Sequence, residues 1–488
     1  MSNDPYAFGV PYTPAGIASD NQETVDDRPR FSLSEIEQLG VRWIRVVWLD
    51  YTNVPRFRIL SRVFFTRLLK STRPGIPVAK VTFGLVHLNL TEGLTSAGEY
   101  LYVFDTNSFR ILPYATGHAS IMGFFQLKVP PPTLGLNPIS LCPRGMLQRI
   151  VKDARDRAGV LFLVGFESEF VLLKSTDPIV TINNADYSTS AKLPGGAIES
   201  VVLEEISESL LSAGVEVQQY HGEGGRGQYE VVTGPLAPLE AADALVYTRE
   251  TIYNIANKHG LRATFAPKLS SRYGGNGSHT HISVHNAAAS SANGGSLRSD
   301  VARAPTLAPT ERSFLQGLLT HLPALCAITL PTPHSYNRVH DGVWAGGTYA
   351  VWGTDNREAA VRLAGSRGLH HFEVRCVDAT ANPYLVLAGL LVAGAQGILD
   401  RSELRTGDCG KAVVLMEDTE RIALGVETAS RLPRSVEEAR KCLLADLVLK
   451  ETLGDEFMDA YLKVNKLLGD NLVLEDEHAT ISKLVNFY

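Results

Sequence analysis

The segment VLFLVGFESEFVLL, residues 160–173, combines a dense run of β-forming residues with two acids. Such residues favour a strand, in which side chains two positions apart point to the same face, so Glu167 and Glu169 share one face. An acid pair on a solvated strand face is the ordinary alternative. Here the flanking residues are apolar, and a buried acid pair without a counter-charge would suffer desolvation and mutual repulsion. The segment therefore predicts a strand that carries half of a cation site.

Other short segments carry polar residues of matching chemistry. HGEGGRGQYEVV (residues 221–232), GNGSHTHISV (275–284) and HFEVR (371–375) each place two or more polar side chains in strand-like sequence. Hard oxygen ligands suit divalent cations, and guanidinium groups suit phosphate and carboxylate, which together indicate metal-assisted phosphoryl transfer. The candidate ligands are Glu167, Glu169, Glu223, Glu230, His279 and Glu373, and the candidate arginines are Arg338, Arg357 and Arg375.

Two glycine-rich stretches have competing interpretations. Gly222, Gly224 and Gly227 fit the GxGxxG pattern, but strand-like QYEVVTG follows rather than a helix, so we exclude a dinucleotide-binding loop. These glycines instead allow a tight turn that brings Glu223 and Glu230 to one centre. The GGNG run at residues 274–277 is either an ordinary turn or a set of backbone amides that hold the polar end of a substrate.

Composition limits the class of protein. The chain has 488 residues, 44% of them hydrophobic, and a formal net charge of -6, which argues against a nucleic-acid partner. The five cysteines form no CxxC pair, which favours reduced thiols in a cytoplasmic protein. Neither a signal peptide nor a run of about 18 apolar residues is visible, so we expect no membrane partner.

Changes in composition along the chain predict three regions. Residues 1–30 are polar and predict a mobile tail. A small mixed unit follows over 31–130, and the linker-like KVPPPTLGLNP leads into a larger unit over 131–488. In the larger unit, helices alternate with short strands that carry the polar motifs. This order predicts an α+β fold in which an antiparallel sheet carries the site and helices surround it.

From about residue 35 to its end, the sequence resembles the glutamine synthetase family. The blocks that carry the resemblance occur in order: CPRGMLQ, GFESEF, GEGGRGQYEVVTGP, GNGSHTHISV, SYNRV, WGTDNREAAVR and FEVRCVDATANPYLVLAGLL. It implies a small β-grasp-like N-terminal domain over 31–130 and a large catalytic domain over 131–488 with a curved antiparallel sheet surrounded by helices. It also implies a ring-stacked homo-oligomer whose active sites lie between subunits.

The resemblance implies a role for each candidate residue. Two or more Mg²⁺ or Mn²⁺ ions are expected, the first on Glu169, Glu223 and Glu230 and the second on Glu167, His279 and Glu373. Arg338, with Gly275 beside it, matches the arginine that binds the α-carboxylate of glutamate. Arg375 matches the arginine on the γ-carboxylate and the transferred phosphoryl group. The residues that match contacts to ATP are Arg357, Arg362, His281 and Ser283.

The implied reaction is ATP-dependent ligation of L-glutamate to an amine or ammonia through γ-glutamyl phosphate. The sequence departs from ammonia-using members at Trp344, six residues after Arg338, where those members carry a glutamate on a flap. We count Trp344 with Arg375 and Arg357 among the residues predicted to take part in catalysis. An aromatic wall suits an organic amine, through apolar contact or cation–π attraction.

Two alternatives remain open in the sequence. In a true glutamine synthetase, Trp344 would be a packing residue of a rearranged flap, and another acid such as Asp341 would serve ammonium. A catalytically inactive relative, kept for structure or regulation, would normally lose metal ligands. All six candidate ligands are present here, which favours an enzyme.

Overall fold

The computed structural model describes residues 9–16, 33–132, 135–187, 192–270, 274–287 and 299–488. Most of the predicted mobile tail, residues 1–30, therefore lies outside the described residues. Within the described ranges, no helix combines the length and the apolar character needed to cross a membrane.

The first structural unit is a five-stranded sheet with two short helices. Its strand order is β2–β1–β7–β6–β3, with β1 and β7 parallel and the other neighbours antiparallel. The helices are α1 (Leu33–Gln38) and α2 (Arg62–Leu68). The strands of this sheet and of a separate small hairpin are β1 (Trp43–Leu49), β2 (Pro55–Ser61), β3 (Gly75–Ala79), β4 (Leu85–Val86), β5 (Asn89–Leu90), β6 (Glu99–Ile111) and β7 (His118–Leu127).

The second unit is built on a nine-stranded sheet. Its main order is β10–β11–β8–β13–β16–β15–β14, and β9 and β12 pair with further stretches of β8. The pairs are antiparallel except β14–β15. Its strands are β8 (Val160–Thr176), β9 (Ile179–Thr181), β10 (Val217–Gly222), β11 (Gln228–Leu236), β12 (Arg262–Thr264), β13 (Thr280–Asn286), β14 (Trp352–Thr354), β15 (Val361–Ala364) and β16 (His371–Val374).

Helices surround this second sheet, as predicted for an α+β fold. Short 3-10 turns occur at Lys80–Phe83, Ser299–Arg303, Pro333–Asn337, Val413–Leu415 and Val426–Thr428, and a π-turn occurs at Ala154–Ala158. The helices are α3 (Pro143–Asp153), α4 (Ile198–Ser212), α5 (Pro238–Lys258), α6 (Pro309–Thr329), α7 (Pro383–Leu399), α8 (Asp418–Ala423), α9 (Val436–Ala445), α10 (Leu447–Leu453), α11 (Asp455–Leu472) and α12 (Glu477–Phe487).

The two units are joined through the turn between β1 and β2. Asn53 donates its side-chain amide to the carbonyl of Ala379 at 2.8 Å, and Asn382 donates to the carbonyl of Asp50 at 3.0 Å. The Asn382 side chain also caps α7 by accepting the N–H of Tyr384 at 3.0 Å. The small unit therefore contacts the segment that follows β16. The division at residues 130 and 131 falls between β7 and α3 and remains a prediction.

Helices α6 and α7 cross closely behind the sheet. A Cβ added at Gly317 would lie 2.2 Å from the carbonyl oxygen of Ala393, and one at Gly397 would lie 2.2 Å from that of Ser313. Only glycine therefore allows these backbones to approach so closely.

We expect Gly317→Ala to lower the melting temperature, because the new methyl group would force the two helices apart at a cost of about 1–3 kcal/mol. Gly410→Ala is the control, since no atom of the described part of the chain lies within 4 Å of a Cβ there. Thermal unfolding of both variants tests this packing. Equal melting temperatures would show that the helices separate without cost.

Candidate active site

Strand register brings the acids of the second sheet together. In the β8–β11 pair, Glu169 lies opposite Glu230. In the β13–β16 pair, His281 lies opposite Glu373, which in turn lies opposite Arg362 of β15. Residues directly opposite one another project from the same face of a sheet. Segments that are distant in the chain thus contribute to one polar face.

Glu167 contacts His279, which directly precedes β13, and His281 within β13. Its carboxylate oxygens lie 2.6 Å from Nδ1 of His279 and 3.1 Å from Nε2 of His281. Burial would raise the pKa of Glu167, but the two imidazoles outweigh it and hold that pKa well below its ordinary value. Glu167 therefore stays ionised in a largely buried position, as a metal ligand must.

Glu373 lies between two arginines. It is fully buried, and its carboxylate contacts Nη1 of Arg362 at 2.9 Å and Nη1 of Arg375. Burial opposes ionisation, yet the charges of Arg375 and His281 lower the pKa of Glu373. Two of the predicted phosphate-binding arginines are thus held beside a predicted metal ligand.

In a third group, the carboxylates of Glu223 and Glu230 lie close together around His221. His221 contacts Glu230 at 3.2 Å and Glu223 at 3.4 Å. Burial, together with the charges of Glu167 and Glu169, raises the pKa of Glu230 to about 8. Burial and the charge of Glu169 also raise the pKa of Glu223. A bound divalent cation would reverse both effects, because it favours the ionised carboxylates.

The donor atoms fit a pair or a cluster of divalent cations. Glutamate oxygens suit Mg²⁺ or Mn²⁺, whereas imidazole nitrogens are more typical ligands of zinc, copper, iron and nickel. Within each of three groups, the ligand atoms lie within 4.8 Å of one another. The groups are Glu167 with Glu230 and His279, Glu167 with His281 and Glu373, and His221 with Glu223 and Glu230.

Glu169 is held by Gly277 of the GGNG run and by Gln228, which the sequence did not single out. Its Oε2 accepts the N–H of Gly277 at 2.9 Å and the side-chain amide of Gln228 at 3.2 Å. Gln228 also donates to Oδ1 of Asn276 at 3.0 Å. The GGNG run therefore does supply a backbone amide, but in this structure the amide binds a protein carboxylate. The signal for Gln228 was its spacing of two from Glu230, which places both on one face of β11.

Arg338 and Gly275 are neighbours, as the resemblance implied. Arg338 is buried and donates through Nη2 to the carbonyls of Arg375 at 2.9 Å and Val377 at 2.8 Å. A Cβ at Gly275 would lie 2.5 Å from Cγ of Arg338 and 2.4 Å from the carbonyl oxygen of Pro267. Glycine at this position therefore makes room for the arginine.

The loop after Arg338 carries Trp344 on its surface. The Trp344 side chain is 74% exposed and its φ is 55°, in the left-handed region. Its carbonyl accepts a hydrogen bond from Nη2 of Arg375 at 2.8 Å. The residue predicted to face the acceptor is thus joined directly to an arginine of the site.

Asp341, the alternative acid for ammonium, already has partners. Its Oδ1 accepts the N–H of Thr348 at 2.8 Å, and its Oδ2 accepts the Thr348 hydroxyl at 2.7 Å. Arg431 lies 3.6 Å from Oδ2. Asp341 therefore fixes the far end of the loop.

Two predicted ATP contacts have other surroundings. Arg357 is exposed, and its carbonyl accepts the N–H of Gly346 at 3.1 Å. Ser283 lies two residues after His281 on the same face of β13, and its hydroxyl contacts Nε2 of His285 at 2.8 Å. Unlike Arg362, which contacts Glu373, these two residues are not held against the acids by a hydrogen bond or ion pair described in this structure.

Comparison with known proteins identifies the class. A family model described as the glutamine synthetase catalytic domain matches residues 140–471. The chain therefore belongs to the glutamine synthetase family, and the predictions of family, fold class and ligase enzyme are confirmed at this level.

The chain is similar to several individual proteins, and the name of one of them states an activity. Protein fluG of Emericella nidulans is 31% identical over 459 residues, which cover 92% of this chain but 49% of fluG, so the chain spans about half of that relative. Gamma-glutamylpolyamine synthetase GlnA3 of Streptomyces coelicolor is 36% identical over 345 residues, which cover 67% of this chain and 69% of the relative. A solved GmaS/ADP complex has a TM-score of 0.73 and 25% identity, and the match covers 91% of this chain and 97% of that structure.

The crowding at Glu230 predicts a pH-dependent stability of the metal-free protein. Between its ordinary pKa of 4.5 and about 8, the folded state retains a proton that the unfolded chain releases. Stability should therefore fall as pH rises through this window. We expect Glu230→Gln to reduce this fall, with a difference on the order of a few degrees in melting temperature between about pH 5.5 and about pH 8.

Calorimetry with and without MnCl₂ measures both effects. Manganese should raise the melting temperature of the unchanged protein by mass action and raise that of Glu230→Gln by less. Glu208→Gln, on the exposed side of α4, is the control for removing a carboxylate. An unaltered pH slope and manganese response in Glu230→Gln would contradict the assignment.

Proposed function

We propose that this protein is an ATP-dependent ligase that joins the γ-carboxylate of L-glutamate to an organic amine. The observation that carries the choice of acceptor is the exposed Trp344 ring on a loop whose backbone is bonded to Arg375. The name of one relative, a gamma-glutamylpolyamine synthetase, supports an amine acceptor, and the likeness to a GmaS structure solved with ADP supports a nucleotide substrate.

The acid cluster provides the first half of this chemistry. A carboxylate is a poor electrophile, and phosphoryl transfer from ATP converts it to γ-glutamyl phosphate, from which phosphate can leave. The three acid groups would hold two or more Mg²⁺ or Mn²⁺ ions, whose charge neutralises the phosphates during the transfer. His281, Ser283, Arg357 and Arg362 would contact ATP.

The arginines place glutamate for the transfer. Arg338 would bind the α-carboxylate, because a guanidinium group matches two carboxylate oxygens. Arg375 is held by Glu373 on one side and by the Trp344 carbonyl on the other, which leaves its orientation little freedom. It would bind the γ-carboxylate and then the transferred phosphoryl group. The amine next attacks the carbonyl carbon, phosphate leaves, and the amine loses a proton to give the amide.

Ammonia is the alternative acceptor. An ammonium ion needs anionic partners, and Asp341, the acid proposed for that role, is engaged by Thr348 and Arg431. An indole ring instead offers apolar surface and cation–π attraction to an alkylammonium group. These contacts favour the organic amine over the true glutamine synthetase.

Two further parts of the proposal concern the whole protein. We expect a cytoplasmic homo-oligomer in which a neighbouring subunit completes each active site. The third interpretation, an inactive relative, would show no phosphate release from Mg²⁺-ATP with glutamate and any amine. Phosphate release from a panel of isopropylamine, putrescine and ammonium chloride is therefore the first experiment.

Replacing Trp344 should change the acceptor. We expect Trp344→Glu to raise kcat/KM for ammonium at least about tenfold, equivalent to about 1.4 kcal/mol, because it supplies an anion for the cation. Trp344→Gln is the control, since it removes the ring without adding charge. If both variants use ammonium as poorly as the unchanged protein does, Trp344 does not face the acceptor.

The glutamate site is tested by a pair of adjacent glycines. Gly275→Ala should raise KM for glutamate at least about fivefold, because its methyl group would displace the Arg338 side chain. In Gly274→Ala the methyl group would meet, among the described residues, only Oε1 of Gln228 at 3.8 Å, and KM should stay unchanged. Steady-state kinetics at saturating ATP and amine measure both values. A normal KM in Gly275→Ala would argue against Arg338 as the carboxylate-binding residue.

A further inference from the structure

The loop that presents Trp344 has an unusual backbone. Gly342, Gly346 and Gly347 have φ values of 81°, 90° and 64°, and Trp344 itself has a φ of 55°. Glycine adopts such values freely, but a bulky residue rarely does. Contacts outside Trp344 must therefore hold its backbone in this conformation.

Glu358 provides these contacts. Its Oε1 accepts the N–H of Trp344 at 2.7 Å, and its Oε2 accepts the N–H of Gly342 at 2.9 Å. One carboxylate therefore clamps the backbone on both sides of Val343. Hydrogen bonds from N–H groups to an ionised carboxylate are stronger than those to a neutral acceptor.

Glu358 is itself fixed from the opposite side. Its N–H donates to Oδ1 of Asn356 at 2.8 Å, and Asn356 donates its side-chain amide to the carbonyl of Cys409 at 2.6 Å. A Cβ at Gly347 would lie 2.6 Å from the carbonyl oxygen of Glu358. Glycine at residue 347 thus lets the loop approach the Glu358 backbone closely.

The Glu358 carboxylate is linked to Arg375 through one residue, Trp344. The Trp344 N–H is bonded to Glu358, and the Trp344 carbonyl is bonded to Arg375 at 2.8 Å. Asp341 fixes the loop at Thr348, beyond the glycine pair, so the two acids hold different parts of the loop. Of these two acids, Glu358 is the one whose carboxylate accepts the N–H of Trp344 itself.

We propose that Glu358 is a positioning residue for acceptor selection, which it controls by holding Trp344 in place beside Arg375. This inference rests on the proposed function, because it needs Trp344 to face the acceptor. The Glu358 carboxylate contacts no substrate in this scheme. Its effect should therefore appear in the choice between amines and should disappear when the indole ring is absent.

A double-mutant cycle tests this dependence. The proteins are the unchanged chain, Glu358→Ala, Trp344→Ala and the double variant, assayed with isopropylamine, putrescine and ammonium chloride. The readout is kcat/KM for the best organic amine divided by kcat/KM for ammonium. We expect Trp344→Ala to lower this ratio at least about tenfold and Glu358→Ala to lower it at least about fivefold. The double variant should match Trp344→Ala alone.

The outcomes separate the two hypotheses. An unchanged ratio in Trp344→Ala overturns the proposed acceptor wall. If Trp344→Ala does lower the ratio, two results overturn only the role of Glu358. One is an unchanged ratio in Glu358→Ala, and the other is a double variant whose reduction equals the product of the two single reductions.

Two more variants show whether a lowered ratio results from misfolding. Glu358→Gln keeps the side-chain size and one acceptor oxygen, and its ratio should lie between those of the unchanged protein and Glu358→Ala. Glu438→Ala is the matched control, because Glu438 also accepts a backbone N–H, from Arg434 at 2.8 Å, but at the start of α9. Its ratio should be unchanged. A general loss of stability would not lower the ratio of the two kcat/KM values in Glu358→Gln or in Glu438→Ala. A Glu358→Gln ratio equal to that of the unchanged protein would therefore contradict the proposal.

Discussion

Several carboxylates buried on one sheet face impose the constraint on which this structure depends. Glu373 is fully buried, and Glu169 and Glu230 are nearly so. An ionised group in such a place costs several kcal/mol unless partners compensate it. The chain supplies two arginines to Glu373 and two N–H donors to Glu169. Glu230 is the least compensated, and its raised pKa marks where positive charge is still needed.

Strand register supplies these partners. A one-residue slip of β11 against β8 would turn Glu230 to the opposite face and separate it from Glu169. Behind the sheet, the Phe314 ring of α6 stacks on Phe372 of β16, and α6 packs in turn against the buried helix α7 at two glycines. Asn382 links this helix to the turn of the small unit. Packing on the opposite face of the sheet therefore supports the strand that carries Glu373.

The sequence predicted the local parts of this arrangement. Alternation along VLFLVGFESEFVLL predicted strand β8 and the shared face of Glu167 and Glu169, because the two-residue period is a property of one strand. Gln228 was missed as a partner of Glu169, and the amides of the GGNG run were assigned to a substrate rather than to Glu169, since both reach it from distant segments whose register no local pattern reveals. The parallel pairing of β14 with β15 was missed for a related reason, because strands of three and four residues show little periodicity. Asp341 was ambiguous until the positions of the Thr348 atoms were known.

The distribution of charge differs between the two ends of the site. At the end proposed to bind phosphate, Glu373 lies between Arg362 and Arg375, and divalent cations would complete the charge balance of the acids. At the Trp344 loop, the oxygens of Asp341 and Glu358 accept hydrogen bonds from backbone amides and a hydroxyl. Each acid therefore has fewer lone pairs for an ammonium ion. The exposed indole offers apolar area instead, and burial of such area is worth about 25 cal/mol per Å². Ammonia gains little from that surface, whereas the alkyl chain of an amine gains in proportion to its length. Under the proposed function, the same loop therefore disfavours ammonium and favours an organic amine.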